Sequence, residues 1–193
     1  MVDRVLCAMS GGVDSSVAAL LLQKAGFDVT GAMMRLLEGS GPALLSESEA
    51  EEVAKKLNIP FFVLNLAEDF KSCVIERFIL EYERGRTPNP CVDCNRDIKF
   101  GALFKRADSL RCDYLATGHY ARVERESDRW LLKKGVDVKK DQSYMLFSLT
   151  QDKLARAIFP LGGLTKRQVR ELAHENGFSN AGKNDSQDIC FLQ

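Results

Sequence analysis

The sequence predicts an α/β fold built on a parallel, Rossmann-like sheet, and two observations carry that prediction. Short apolar runs alternate with helical patterns over the first 117 residues, which is typical of βαβ units. An apolar run at residues 5–9 also breaks at Ser10-Gly11-Gly12, and an apolar helix follows at once. Ligands of such sheets bind at the carboxyl ends of the strands, so the loops at those ends are the first candidates for function.

The first half of the chain is predicted to contain four strands with helices between them. The strands are apolar runs that end at glycine or polar turns, and the helices carry apolar residues at helical spacing. The strands lie at residues 5–9, 28–34, 59–66 and 113–117, and the helices at 17–25, 46–57, 68–83 and 95–110. A capping box of Ser46 and Glu49 is expected to begin the second helix, after a flexible loop at residues 39–42.

The pattern changes after the fourth strand. Residues 121–126 and 130–134 are predicted to form a hairpin around Ser127-Asp128, and residues 141–149 return to the core. A short helix is predicted at residues 151–158. Thr165 and Gln168 then cap a last helix, which ends at Asn176-Gly177.

Composition narrows the classes of function. The 193 residues are 45% hydrophobic, with 27 basic and 27 acidic side chains, so any RNA contact must be local rather than driven by a global field. The chain has no secretory signal and no apolar run long enough to span a membrane. We therefore expect a cytoplasmic protein with reduced thiols, in which cysteines act in catalysis or metal binding.

The turn at residues 10–15, called the glycine turn below, is predicted to cradle an anion. Gly11 and Gly12 let backbone N–H groups approach a phosphate, and the start of the following helix adds a partial positive charge. The hydroxyls of Ser10, Ser15 and Ser16 are available to donate to the same phosphates. The turn has neither the lysine of G-x-x-x-x-G-K-[ST] nor the spacing of G-x-G-x-x-G.

The turn's Ser-Gly-Gly-Val-Asp-Ser sequence resembles the PP-loop of ATP pyrophosphatases, which cleave ATP between its α and β phosphates. Because a carboxylate beside a triphosphate can hold Mg²⁺, Asp14 is a candidate metal ligand.

Cys91-x-x-Cys94 stands at the start of a predicted helix, a position that depresses thiol pKa values. Alone, this motif is compatible with redox chemistry, half a zinc site or iron–sulfur ligation, and Cys190 or a histidine would have to complete a metal set. The other three cysteines sit at apolar positions and are interpreted as core residues. They are Cys7, Cys73 and Cys112.

Three further features indicate function less specifically. His119 follows a strand end and is either a structural residue or a ligand contact, whereas no role is assigned to His174. The run at residues 139–142 has the composition of a solvated loop. A basic patch flanks the Cys91-x-x-Cys94 motif and is a candidate for phosphate contact. It consists of Arg84, Arg86, Arg96 and Lys99.

Six motifs in this order together resemble the tRNA-specific 2-thiouridylase family over nearly the whole chain. They are SGGVDSS at 10–16, GRTPNPCVDCN at 85–95, ATGHYAR at 116–122, KDQSY at 140–144, FPLG at 159–162 and DSQDICF at 185–191. The resemblance implies a PP-loop ATP pyrophosphatase fold of the adenine nucleotide alpha hydrolase type. It also implies a transferase that uses ATP to thiolate C2 of the wobble uridine of tRNA. ATP and Mg²⁺ are the implied cofactors, and tRNA and a sulfur-donor protein or sulfide are the implied partners.

The family's chemistry explains why it needs both ATP and thiols. Adenylation of the uracil C2 oxygen creates a leaving group, which a sulfur nucleophile then displaces. By resemblance, Cys190 carries a persulfide and Cys94 is the second catalytic cysteine. The Cys94 thiolate attacks the persulfide or the intermediate and leaves a Cys94–Cys190 disulfide.

The resemblance also assigns the binding residues. Those for ATP are Ala8, Met9, Ser10, Gly11, Gly12, Val13, Asp14, Ser15, Met34 and Gly118. Those for tRNA are Asn89, Pro90 and Cys91 at the target base, His119, and Lys140, Asp141 and Gln142.

The chain departs from the family in two ways. Many relatives have aspartate where Cys91 stands, so Cys91, Cys94 and Cys190 form a three-cysteine set. That set suggests an alternative in which a [4Fe–4S] cluster binds activating sulfide. The family also continues into a linking domain and a β-barrel that this chain does not contain. We expect residues 1–193 to be the catalytic domain, with the linking region beginning near residues 165–193.

Two rival functions remain open from sequence. One is a different PP-loop enzyme, either a synthetase or another tRNA thiolase. The other is a structural module with zinc on Cys91, Cys94 and Cys190. Cysteines paired from two separate motifs favour thiolation.

Overall fold

The computed structural model describes residues 2–37, 42–184 and 189–192, with the side chains of 42–44 left out. Within these residues, five strands form one parallel sheet in the order β3-β2-β1-β4-β7. A separate antiparallel hairpin joins β5 to β6. The strands are β1 Arg4–Ala8, β2 Asp28–Arg35, β3 Phe61–Asn65, β4 Tyr114–Ala116, β5 Ala121–Glu126, β6 Arg129–Lys134 and β7 Ala157–Ile158.

Helices follow the strands and cover both faces of the sheet. Two of the helical stretches contain π-helical segments, at Lys71–Ile75 and Cys94–Ala102, and a 3₁₀ turn spans Ser143–Met145. The α-helices are α1 Val13–Lys24, α2 Pro42–Leu57, α3 Ala67–Phe70, α4 Glu76–Glu83, α5 Pro90–Asp93, α6 Leu103–Ser109, α7 Gln151–Leu154 and α8 Lys166–Glu175.

The core consists of one large apolar cluster on each face of the sheet and a smaller one at its edge. The first joins β1 to α1, α2 and α8, and the second joins β1 and β4 to α6 and residues 146–159. The third cluster consists of buried Phe70, Val74 and Ile98, and Met34, Cys94 and Phe191 are among the residues packed against it. The third cluster therefore connects the end of β2 to both cysteine motifs.

The predicted α/β class, the four strands and the hairpin are confirmed, but several boundaries were wrong. The first helix begins at Val13, a turn earlier than predicted, directly after the glycines. The second begins at Pro42, so Ser46 lies inside it and the predicted capping box is wrong. Proline suits the first helical position because its missing N–H is not needed there. Most of the predicted loop at 39–42 lies outside the described residues.

Residues 151–158 were predicted to be one helix, and that prediction is wrong. The helix ends at Leu154, and Ala157–Ile158 instead pairs with Leu115–Ala116 as the last parallel strand. A strand of two residues is too short to show a period-2 pattern, so the sequence carried no signal for it. Cys73 also differs from its predicted place, because it is half-buried, whereas Cys7 and Cys112 are buried as expected.

The C-terminal helix packs on the sheet domain. Its predicted capping box of Thr165 and Gln168 is confirmed, and the helix ends before Gly177, which has a φ of +61°. Val169 and Ala173 are fully buried in the same cluster as Val17 of α1. The start of a linking region in this part of the chain stays a prediction. No helix in the described ranges has the length and apolar character needed to cross a bilayer.

The fold predicts which side-chain substitutions lower the stability of the protein. Leu6 lies in the central strand with 0% exposure, so we expect Leu6→Ala to lower the free energy of unfolding by about 2–5 kcal/mol through cavity formation. Val2→Ala, at a position that is 63% exposed, should change it by less than about 0.5 kcal/mol. Urea denaturation followed by circular dichroism measures both, and equal effects would contradict the assigned core.

Candidate functional site

The glycine turn joins β1 to α1 and leaves the start of the helix open to an anion. Gly11 has a φ of +73°, and a Cβ there would lie 2.2 Å from the backbone oxygen of Ser46. Gly12 is the N-cap, and no side-chain hydrogen bond from the described residues caps the helix. Because the first N–H groups of a helix have no partner within it, this end offers donors and a partial positive charge to a phosphate.

Two of the three predicted hydroxyl donors are already engaged within the turn. The Ser15 hydroxyl accepts a hydrogen bond from the Ser10 N–H at 3.1 Å and donates to the Gly12 carbonyl at 3.0 Å. The Ser16 hydroxyl donates to the same carbonyl at 3.0 Å. A hydroxyl has one proton to donate, so Ser15 and Ser16 shape the turn, and Ser10 is the exposed hydroxyl.

A residue that sequence reasoning missed supports the turn from behind. The Asn180 amide donates to the Gly11 carbonyl and to the Ser16 hydroxyl, each at 2.9 Å, and Asn180 is 3% exposed. Asn180 follows the turn by 169 residues in sequence, and nothing local to it indicates this contact.

Asp14, the predicted Mg²⁺ ligand, is held in an ion pair. Its carboxylate oxygens each lie 2.8 Å from the Lys166 Nζ atom, and Oδ1 accepts the Tyr120 hydroxyl at 2.7 Å. The Lys166 side chain is 11% exposed and that of Asp14 is 31% exposed, so the pair is partly buried. Both carboxylate oxygens of Asp14 are thus engaged by neighbouring side chains, and its metal role stays a prediction.

The carboxyl ends of β1, β2 and β4 lie at one edge of the parallel sheet, where ligand sites are expected. Gly118 comes two residues after β4 and lies against the glycine turn. A Cβ at Gly118 would be 3.0 Å from the backbone carbonyl carbon of Asp14. Met34, near the end of β2, packs against both the second and the third clusters. The predicted ATP set thus occupies one end of the sheet.

Cys91 and Cys94 occupy different environments in one helical stretch. Asn89 caps its start by accepting the Cys91 N–H at 3.1 Å, and Cys94 follows one turn later, half-buried, where the π-helical segment begins. Burial raises the pKa of the Cys94 thiol to about 11, against a lowering effect of Lys99. The prediction of a depressed thiol pKa is therefore wrong for Cys94, because it lies past the first turn and burial outweighs the nearby cation.

Phe191, the residue after Cys190, packs against the same third cluster as Cys94. The Cys94 pKa is also raised by the charges of Cys190, Cys91 and Asp93, in that order. The pKa of Cys190 is itself raised, first by desolvation and then by Cys91, although the residue is exposed. The structure thus brings the two distant cysteine motifs together.

The thiols do not form a metal site in this arrangement. All six cysteines lie in the described part of the chain and are free. Across residues 2–37, 42–184 and 189–192, no three His, Cys, Asp or Glu side chains are grouped so as to hold a metal ion. Cys91, Cys94 and Cys190 are thus not grouped as metal ligands in this arrangement, and the iron–sulfur and zinc alternatives stay predictions.

His119 is enclosed rather than open to solvent. Its Nδ1 atom lies 2.7 Å from the Thr117 hydroxyl, and its ring packs beside Phe100 and Phe159. Burial, helped by Lys99, lowers the His119 pKa well below its ordinary value, so the ring is neutral at pH 7. These contacts fit the structural interpretation of His119, and its predicted tRNA contact stays a prediction.

The loop at residues 139–142 is bound to the site, and its interpretation as solvated is wrong for two residues. The Gln142 side chain accepts the Tyr120 N–H at 3.1 Å, and Asp141 accepts the Gly135 N–H at 2.8 Å. Tyr120 in turn donates to Asp14. The loop is therefore connected to the glycine turn through one tyrosine.

The predicted basic patch is mostly neutralised. Arg84 and Arg86 pair with Glu81, and Arg96 pairs with Asp93 and Asp97. Among the described residues Lys99 has no acidic partner within ion-pair distance, and its charge acts on Cys94, Cys190 and His119.

A cleft of about 750 Å³ lies beside β3, away from the glycine turn. Its walls include Cys73, Arg96, Lys105 and Lys153. None of the predicted ATP residues lines it.

The sheet, the Ser-Gly-Gly-Val-Asp-Ser turn and the strand ends gathered around it define an α/β domain of the PP-loop ATP pyrophosphatase class. The chain belongs to the tRNA methyl transferase HUP domain family, whose sequence profile matches residues 3–193.

Curated relatives agree with the family resemblance deduced from the motifs. The chain is 48% identical to the tRNA-specific 2-thiouridylase MnmA of Clostridioides difficile, over 100% of this chain and 56% of that protein. It is 50% identical to the same-named protein of Natranaerobius thermophilus, again over 100% of this chain and 56% of that protein. The chain thus spans a little over half the length of these relatives.

Solved structures are similar in fold. A predicted subunit of tRNA methyltransferase from Methanocaldococcus jannaschii superposes with a TM-score of 0.56 at 26% identity, covering 91% of this chain and 75% of that one. A 4-thiouridine synthetase solved with RNA and bound ATP gives a TM-score of 0.61 at 18% identity, covering 97% and 44%. At that identity the second likeness concerns the fold alone.

The raised pKa of Cys94 predicts slow alkylation at neutral pH. A shift from 9.0 to about 11 lowers the thiolate fraction at pH 8 about a hundredfold relative to an unperturbed thiol. The rate of iodoacetamide labelling at Cys94, followed by peptide mass spectrometry, should rise about tenfold per pH unit to near pH 11. N-acetylcysteine serves as the control, and a plateau at Cys94 below pH 9 would contradict the burial argument.

Proposed function

We propose that this chain is the catalytic domain of a tRNA uridine 2-sulfurtransferase, which activates the wobble uridine with ATP and replaces its C2 oxygen with sulfur. The observation that carries the proposal is the proximity of two reactive regions. Met34, assigned to the adenine, packs against the third cluster together with Cys94 and Phe191, which neighbours Cys190. A nucleotide at the glycine turn would lie next to the thiols.

The activation step needs an anion site without a competing negative charge. The glycine turn offers the free end of α1, and the carboxylate of Asp14 is neutralised by Lys166. Triphosphate would bind there, and the C2 oxygen of uracil would attack the α-phosphate with release of pyrophosphate. The adenylated oxygen then leaves as AMP, which makes C2 open to a nucleophile.

The transfer step uses both cysteines. The terminal sulfur of a Cys190 persulfide attacks C2 and displaces AMP, which leaves uridine bound to Cys190 through a disulfide. The Cys94 thiolate then attacks the Cys190 sulfur and releases 2-thiouridine, forming a Cys94–Cys190 disulfide that an external thiol reductant must reduce. Because the Cys94 pKa is about 11, this attack requires removal of its proton in the bound complex, and Lys99 favours the resulting thiolate.

The proposed partners are tRNA and a sulfur donor, and exposed residues near the thiols would contact them. Asn89 is exposed and Cys91 half-exposed at the start of their helix, so the target base would enter there, with Pro90 buried beneath it. Lys140, Asp141 and Gln142 flank the site through Tyr120. With 27 charges of each sign, the chain has a weak overall attraction for RNA. Much of the binding energy for tRNA would come from a region that its relatives have beyond the part matched here. A sulfur donor would load the exposed Cys190.

Loss of either catalytic thiol should stop sulfur transfer without stopping activation. In the full-length protein we expect Cys94→Ser and Cys190→Ser each to reduce 2-thiouridine formation to background, because each removes a sulfur that the transfer step requires. Mass spectrometry of nucleosides from tRNA incubated with ATP, a persulfide donor and a thiol reductant measures the product, and pyrophosphate release reports activation.

Cys73→Ser provides the matched control, since Cys73 is half-buried against the same cluster but lies outside the proposed chemistry. Thiolation at the wild-type rate by either catalytic variant would contradict the cysteine roles. Loss of pyrophosphate release in both would favour a different PP-loop activity.

The close approach of Gly118 to the glycine turn predicts a specific defect in nucleotide binding. In Gly118→Ala the new methyl group would lie 3.0–3.2 Å from backbone atoms of Asp14 and Ser15, so the turn must shift. We expect ATP affinity to fall about tenfold or more, measured by calorimetry. Gly163→Ala is the control because no described atom lies within 4 Å of its Cβ position. Unchanged affinity in Gly118→Ala would contradict ATP binding at this turn.

A further inference from the structure

Phe191, directly after Cys190, is packed between two aromatic rings of another part of the chain. Its ring centroid lies 5.8 Å from that of Phe70 and 5.2 Å from that of Phe78, at interplanar angles of 73° and 87°. Both are edge-to-face contacts, the arrangement that aromatic quadrupoles favour. The catalytic motif near the chain's end is thus attached through a side chain that the mechanism does not use.

The two rings that contact Phe191, called the socket below, are both buried. Phe70 is 1% exposed and Phe78 is 8% exposed, and Phe78 is also held edge-to-face by Tyr82 at 4.8 Å. Phe70 belongs to the third cluster, against which Cys94 also packs. The socket and Cys94 therefore share one packed unit.

The backbone transmits the position of the ring to the neighbouring thiol. The Leu192 N–H donates to the Ile189 carbonyl at 3.0 Å, which closes a turn around Cys190 and Phe191. With the ring fixed in its socket, Cys190 has little freedom to leave the neighbourhood of Cys94.

We propose that Phe191 is a positioning residue: it docks between Phe70 and Phe78 and thereby holds the Cys190 thiol beside Cys94. The catalytic consequence rests on the proposed function, but the contact itself does not. Docking raises the effective concentration of one thiol at the other, and persulfide transfer followed by resolution requires that the two sulfurs meet.

The test measures effective concentration directly in this chain, without tRNA or ATP. In glutathione buffers, Cys94 and Cys190 give up two electrons and two protons to glutathione disulfide, forming one protein disulfide and two reduced glutathiones. All variants carry Cys91→Ser, because this change removes a neighbouring thiol that would compete for the disulfide. Mass spectrometry after alkylation quantifies the Cys94–Cys190 bond.

We expect Phe191→Ala to lower the equilibrium constant for this disulfide about tenfold or more. Phe78→Ala should do the same from the socket side, without any change near Cys190. Phe191→Tyr keeps the ring and should restore the constant to within about twofold of the parent value.

Phe27→Ala is the matched control because Phe27 makes an edge-to-face contact of the same kind with Tyr114, at 6.0 Å and 80°, in a different cluster. It should leave the constant unchanged. An unchanged constant in Phe191→Ala, an equal loss in Phe27→Ala, or no Cys94–Cys190 disulfide in the parent protein would each overturn the positioning role.

The measurement also separates this inference from the proposed function. A lowered constant in Phe191→Ala together with wild-type 2-thiouridine formation by the full-length variant would support the docking and count against the role of the paired thiols.

Discussion

The close contact between the end of β4 and the glycine turn is the constraint on which the site depends. Gly118 has little room for a side chain against Asp14 and Ser15, so the residues after β4 approach the first turn of α1 as closely as backbones allow. Asn180 holds the other side of the turn by bonding to the Gly11 carbonyl. The turn is therefore clamped between the sheet and the residues after α8, and its open N–H groups keep their direction without a bound ligand.

Two effects act in opposite directions on the Cys94 thiol. Burial raises the pKa of the Cys94 thiol to about 11, even though the charge of Lys99 acts to lower it. A protonated thiol is a poor nucleophile, so the resting arrangement suppresses premature disulfide exchange. Cys190 is exposed to solvent, whereas Cys94 is half-buried, and this difference in access suits the proposed order of steps, in which Cys190 takes up sulfur first and Cys94 acts later.

Local sequence patterns predicted the elements, because strands and helices are set by periodicity and turn residues close in sequence. The glycine turn, the hairpin and the Thr165–Gln168 box are all of this kind. Long-range partners were not predictable in this way. Asn180 and Lys166 reach the turn from more than 150 residues away, and neither has a local signature. The sign of the Cys94 pKa shift also depended on burial, which the position of the motif on a helix did not reveal.

The π-helical segment from Cys94 to Ala102 shows how an irregular helix can organise such a site. In an α-helix, residues five apart point about 140° away from each other, so Lys99 would be turned away from Cys94. Hydrogen bonds of the i→i+5 type turn residues five apart closer to one direction, which is consistent with the lowering effect of the Lys99 charge on the Cys94 pKa. Ile98 of the same segment is buried in the third cluster with Phe70, whose ring contacts that of Phe191. Cys94, Ile98 and Lys99 thus belong to one π-helical segment, which packs against the same cluster as Phe191 although nearly 100 residues separate Cys94 from Phe191 in the sequence.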